Sequence, residues 1–163
     1  MLLIVDDEKE LLSSLKEMLS PDFEKIETAL TVQEAIAKTK TISFEAVLSD
    51  YKMPVENGID FLKQLRSQGN QVPFIMMTGF ADKQLIIEAL RLGAYDFVEK
   101  PWEFEQLRQT ILGAVELGRT LKRLGITCGE AELIKEFVGD LDGGRNGRLN
   151  KILSNIVQEL YRK

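Results

Sequence analysis

The sequence predicts an α/β fold, a doubly wound five-stranded parallel sheet with helices on both faces, followed by a helical C-terminal extension. Three observations point to it. Through residues 2–118, short apolar runs alternate with longer segments of helical period, the pattern of parallel strands joined by right-handed crossover helices. Several runs are nearly continuous in apolar residues, as strands covered on both faces are. Polar residues stand directly after those runs, at the sheet edge where open α/β sheets bind their ligands.

Strands are expected at residues 2–5, 25–29, 46–49, 73–77 and 95–98. After the first, Leu11, Leu12, Leu15, Met18 and Leu19 share one helical face, and Pro21 comes just past the end of that stripe. Thr31 with Glu34 forms a capping box ahead of Ala35 and Ile36, which starts a second helix. Ile59, Leu62 and Leu65 mark a third that Gly69 can close, and Leu85, Ile86, Ala89 and Leu90 a fourth that ends near Gly93. The fifth begins near Glu103. Its apolar positions Phe104, Leu107, Ile111, Ala114, Val115 and Leu121 continue past the point where a minimal unit would stop, so the helix is expected to overrun the domain.

Composition narrows the function classes. A chain of 163 residues with 44% hydrophobic and 29% charged residues is ordinary globular material, long enough for one domain and an appendage. No window approaches the roughly 18 apolar residues of a membrane span, and the apolar start runs directly into Asp6, Asp7 and Glu8, so a cytoplasmic location without membrane contact is expected. The single cysteine, Cys128, has neither a disulfide partner nor a histidine with which to bind zinc. The chain has no histidine, so any imidazole chemistry must come from another molecule. Residues 1–118 carry 12 Lys/Arg against 20 Asp/Glu, and residues 119–163 carry 9 against 6. The tail is thus mildly basic, too weakly so to imply nucleic-acid binding by charge.

The polar residues at the strand ends are Asp6 and Asp7 after the first, Asp50 after the third, Thr78 after the fourth and Lys100 after the fifth. Three carboxylates meeting at one edge repel one another unless a cation sits among them. A hard divalent ion such as magnesium suits carboxylate and carbonyl oxygens and leaves positions for phosphate oxygens. A metal, an ammonium and a hydroxyl are also the parts that phosphoryl transfer needs for positioning and charge neutralisation.

Asp6-Asp7-Glu8, Asp50 followed by Met53-Pro54 and Gly58, Thr78-Gly79, and Lys100-Pro101 resemble the receiver domain of two-component response regulators, including the single-domain chemotaxis type. The resemblance covers about residues 1–118, and every motif falls at its strand end in the family's order. It implies a flavodoxin-like strand order of 2-1-3-4-5 and a phosphoacceptor signalling protein rather than an enzyme with its own substrate. It also implies that Asp50 is the phosphoacceptor, that Asp6, Asp7, Asp50 and the main-chain carbonyl of Lys52 hold Mg2+ (with Mn2+ as a substitute), and that Thr78 and Lys100 contact the phosphoryl oxygens. Lys100-Pro101 is commonly a cis peptide in that family. Thr78 and Phe97 would form the switch, with Phe97 standing where tyrosine is more usual and so offering no hydroxyl. Lys52 and Phe80 would flank the path of attacking water, with Phe80 shielding the acyl phosphate and lengthening its life.

The implied partner is a sensor histidine kinase or phosphotransfer protein. A homodimer is expected through the face made by the fourth helix, fifth strand and fifth helix, or through the tail, with Trp102 either an anchor on that face or a ring packed near the loop. Residues 119–163 are read as the extended fifth helix and a helical tail, used for dimerisation or partner binding or opening an output module. That tail shows helical stretches at residues 130–138 and 149–161 around a turn-rich segment whose register fails a calcium loop: Arg145 stands where glycine is required and Lys151 where glutamate is. No helix-turn-helix with a basic recognition helix is evident.

Overall fold

Strand β1 (Leu2–Val5) is an inner strand of the sheet, and all four of its residues are fully buried. The computed structural model describes residues 1–79 and 83–124 of the chain. Phe80, Cys128 and the expected tail helices and turn lie outside the described residues. The elements follow in strict alternation: β1, α1 (Lys9–Leu19), β2 (Ile26–Ala29), α2 (Val32–Thr41), β3 (Ala46–Asp50), α3 (Gly58–Ser67), β4 (Phe74–Thr78), α4 (Lys83–Arg91), β5 (Asp96–Glu99) and α5 (Phe104–Leu124). All strand pairs are parallel, and the order is β2-β1-β3-β4-β5.

Alternation of side chains along the strands divides the core into two layers. Leu3, Val5, Val47, Phe74 and Met76 face α2, α3 and α4, while Leu2, Ile4, Leu48, Ile75 and Met77 face α1 and α5. Phe61 of α3 meets Phe74 edge-on with ring centres 5.4 Å apart, an arrangement that aligns the ring quadrupoles favourably. Of the apolar face expected for the first helix, Leu12, Leu15 and Leu19 are buried, but Met18 is 44% exposed and serves as rim rather than core.

Helix boundaries follow local chemistry. Thr31 accepts from the amide of Glu34 at 3.1 Å, and the Glu34 carboxylate accepts from the amide of Leu30 at 3.0 Å. Asn57 and Asp60 form a reciprocal capping box at the start of α3, using an Asp where Glu or Gln is the commoner partner. The turns after α3 and α4 place Gly69 and Gly93 at positive φ, as the closing role assigned to them requires.

Helix α5 runs on to Leu124. Its last turns lie against the segment that leads into β3: Lys122 donates to the carbonyl of Ser43 at 3.0 Å, and Arg119 pairs with Glu45 at 3.2 Å. Gly118 permits this, because a Cβ there would overlap the carbonyl oxygen of Glu45. Among the described residues no helix is long and apolar enough to cross a membrane.

Candidate functional site

Sheet register alone assembles the site. Val5 pairs with Ser49, so Asp6 and Asp50 emerge side by side at the ends of β1 and β3. Asp50 pairs with Met77 and Thr78 with Glu99, which puts Thr78 at the end of β4 and Lys100 one residue past β5 on the same edge. Because these residues lie at strand ends, their backbone is held by ladder hydrogen bonds: the amide of Tyr51 donates to Met77 at 2.8 Å and that of Lys100 to Thr78 at 2.7 Å.

The side chains converge on one ammonium. Lys100 Nζ lies 2.6 Å from Asp50 Oδ1 and 3.1 Å from Asp6 Oδ2. Asp50 Oδ2 accepts from the amide of Lys52 at 2.8 Å, and Asp6 Oδ1 accepts from the amide of Glu8 at 2.9 Å. Asp6, Asp50 and Thr78 are all buried. Burial pushes the Asp50 carboxyl above its ordinary value, against the pull of Lys100 and the Lys52 amide. Burial acts on Lys100 in the opposite sense, but its contacts with Asp50 and Asp6 outweigh it and hold the ammonium above its usual range. Both groups therefore sit in a site where a single unpaired charge is costly to keep buried, the environment in which paired charges interact more strongly than in water.

Asp7 is exposed, and among the described residues no three acidic side chains form a metal cluster. Phe97 is partly buried on the α2, α3 and α4 side, beside Met76 in the register, and the Lys100-Pro101 peptide is cis. Two features at the site had not been singled out for it. Gly58 lets α3 approach so closely that a Cβ would lie 2.5 Å from the carbonyl oxygen of Asp50. Trp102, read as either a partner anchor or a ring packed near the loop, packs part-buried on the α1 and α5 layer, with Lys100 Nζ 5.6 Å from its ring centre. The signal for the first was the glycine of a motif already noted, and for the second an aromatic two residues beyond the key lysine.

The family model for the response regulator receiver domain matches residues 2–112. The chain belongs to that family. As a receiver domain it is part of a signalling protein, and receiver domains generally use Mg2+ at the phosphorylation site and interact with histidine kinases or phosphotransfer proteins. It is 34% identical over 112 residues to the transcriptional regulatory protein FixJ of Bradyrhizobium diazoefficiens, covering 69% of this chain and 55% of the relative. It is 34% identical over 167 residues to the hydrogenase transcriptional regulatory protein HoxA of the same organism, covering 98% of this chain and 31% of the relative. The receiver domain protein from Clostridium thermocellum superposes with a TM-score of 0.68 at 29% identity, covering 74% of this chain and 97% of that one. The chain thus spans about half or less of the length of these curated relatives.

The donor set fits a hard divalent ion. Asp6 and Asp50 are two buried carboxylates sharing a single ammonium, which leaves a local excess of negative charge on oxygen donors of the kind magnesium and manganese take.

Proposed function

We propose that this receiver accepts a phosphoryl group on Asp50 from the phosphohistidine of a sensor histidine kinase or phosphotransfer protein and answers by changing its protein contacts. The observation that carries the reading is the Lys100 ammonium placed 2.6 Å from Asp50 and 3.1 Å from Asp6 at one sheet edge. Asp6 and Asp7, Asp50 and the main-chain carbonyl of Lys52 would hold Mg2+, or Mn2+ in its place, which when bound supplies positive charge to offset that on the phosphoryl oxygens.

The chain's own groups do the rest. A carboxylate oxygen of Asp50 attacks phosphorus, and the P–N bond to the donor imidazole breaks as the P–O bond forms. The imidazole leaves with the bond's electron pair and takes one proton from solvent. Lys100 and Thr78, at the ends of neighbouring strands, meet the transferred oxygens with an ammonium and a hydroxyl, so that their charge is neutralised by groups already in place. Attack of water on the acyl phosphate returns the carboxylate and inorganic phosphate. Movement of Thr78 toward the phosphoryl group, with burial of Phe97, would carry the change to the α4, β5 and α5 face, where Ile87 and Leu90 are exposed. The cytoplasm is the compartment that this reading assigns to the reaction.

Incubation with acetyl phosphate and Mg2+ tests the reading. Acid-labile phosphate should appear on the parent protein and not on Asp50→Asn, and equal labelling of both would overturn the assignment.

The match to HoxA runs across 98% of this chain but only 31% of the relative. That reach favours a second reading of residues 119–163, as the connection from the receiver to an output module of a larger regulator. A tail that serves only self-association would make the protein dimerise on beryllofluoride addition, whereas a connecting segment would not by itself change its size.

A further inference from the structure

We infer that Trp102 is a positioning residue for Lys100, its indole holding the ammonium in place through a cation–π contact. The inference deepens the phosphoacceptor reading and rests on it.

Lys100 has three N–H donors, and its two close partners are Asp50 Oδ1 and Asp6 Oδ2. The ring of Trp102 lies with its centre 5.6 Å from Nζ, within the roughly 6 Å over which a cation is drawn to an aromatic face. The lysine side chain is 25% exposed, so a free path to water exists, and a long flexible side chain gains rotamer entropy by taking it. The indole opposes that escape: it presents negative ring potential where an aliphatic side chain would present none. Trp102 is itself anchored, packing on the α1 and α5 layer of the core, so the ring is a fixed wall. Tryptophan also gives the strongest contact of this type among the aromatic side chains.

The chain contains one tryptophan, so tryptophan emission comes from Trp102 and responds to the groups around its ring. Lys100→Met should shift or rescale the Trp102 emission of the full chain, while Lys63→Met, which removes a lysine paired with Glu88 on the surface, should leave it as it was. An emission spectrum indifferent to Lys100→Met would overturn the contact, whether or not the protein takes up phosphate.

The functional arm uses the rate of acyl-phosphate formation from acetyl phosphate with Mg2+. Trp102→Leu, which keeps bulk but removes the ring, should slow it about two- to fivefold, the factor corresponding to an exposed to partly exposed cation–π contact. Trp102→Phe and Trp102→Tyr should retain at least half of the parent rate. In the Lys100→Met background, Trp102→Leu should cause no further loss, since nothing remains for the ring to hold. A Trp102→Leu rate equal to the parent's, or an equal loss in both backgrounds, would sink the positioning role and reduce the ring to packing. If the parent and Asp50→Asn both fail to label, the phosphoacceptor reading is what fails, and the emission comparison still decides the Trp102 contact.

Discussion

Replacing Gly58 with alanine should damage both the fold and the placement of Asp50, the proposed phosphoacceptor, through one clash. The added Cβ would lie 2.5 Å from the carbonyl oxygen of Asp50, 3.1 Å from Cα of Tyr51 and 3.3 Å from the carbonyl carbon of Asp50. All three are backbone atoms, so no flexible side chain can yield. Relief requires the oxygen to recede by about 0.5 Å, and that displacement falls on β3, whose ladder to β4 holds Asp50 opposite Met77. Overpacking of this kind costs about 1–3 kcal/mol. The better helix propensity of alanine returns only a fraction at the first helical position, where the amide of Gly58 already donates to the carbonyl of Tyr51 at 2.9 Å. At roughly 4 °C per kcal/mol for a domain of this size, the melting temperature should fall by about 4–12 °C. The phosphorylation rate of the remaining folded protein should fall with it, because Asp50 moves relative to Lys100. Gly79→Ala is the stability control, since a Cβ there meets nothing within 4 Å. A Gly58→Ala protein with the parent's melting temperature and labelling rate would refute the reasoning.

Further predictions concern the frame around the site. Thr31→Ala removes the acceptor for the Glu34 amide and should cost about 1 kcal/mol, seen as a fall of about 0.5 M in the urea midpoint at an unchanged slope near 2 kcal/mol/M. Val55 is 97% exposed at φ 71°, a conformation that costs an L residue roughly 1–2 kcal/mol. Val55→Gly should therefore raise stability by up to about 1 kcal/mol after the greater freedom of glycine in the unfolded chain is subtracted, and a lower urea midpoint would show that the strain reading is wrong. Hydrogen bonds from Arg108 at 2.6 and 2.7 Å hold the Asp22 carboxyl below its ordinary range. The native state thus releases this proton more readily than the unfolded chain does. The pair's contribution is complete above about pH 4, where unfolded aspartate ionises, and fades as pH falls through the lowered native value. In thermal melts between pH 6 and 2.5, Asp22→Asn should flatten that part of the acid limb, and parallel curves for parent and variant would contradict the assignment.

How much of this was legible in the sequence depended on whether the cause was local. The strand at 2–5 was placed correctly and the others to within a residue, because a continuous apolar run bounded by turn formers needs no partner to be recognised. The Thr31 and Glu34 box, the closures at Gly69 and Gly93 and the continuation of α5 beyond residue 118 were equally local. The strand-end rule brought Asp6, Asp50, Thr78 and Lys100 to one edge, since parallel strands all leave the sheet in the same direction. Asp50 and Thr78 prove to be the last residues of β3 and β4 rather than the first after them.

Long-range contacts were not legible. Arg66 donates to the carbonyls of Asn70, Val72, Leu92 and Gly93, and Arg108 reaches Asp22 across 86 residues of chain. Neither pairing leaves a periodic mark. The placement of Met18 at the rim depended on how far the neighbouring elements extend, which helical period alone does not encode. For Trp102 the sequence left an exposed anchor and a packed ring equally open, because the path of the chain after Lys100, which brings the ring within 5.6 Å of the ammonium, leaves no local mark.

The central claim is that Asp50 is the group that takes the phosphoryl. Borohydride reduces an acyl phosphate to an alcohol, so treating the labelled protein with it marks the acceptor permanently, converting the phosphorylated aspartate to homoserine. Peptide mass spectrometry after acetyl phosphate and Mg2+ should find homoserine at position 50 and nowhere else. Homoserine at position 6 or 7, or an unmodified Asp50 in protein that carries acid-labile phosphate, would contradict the account.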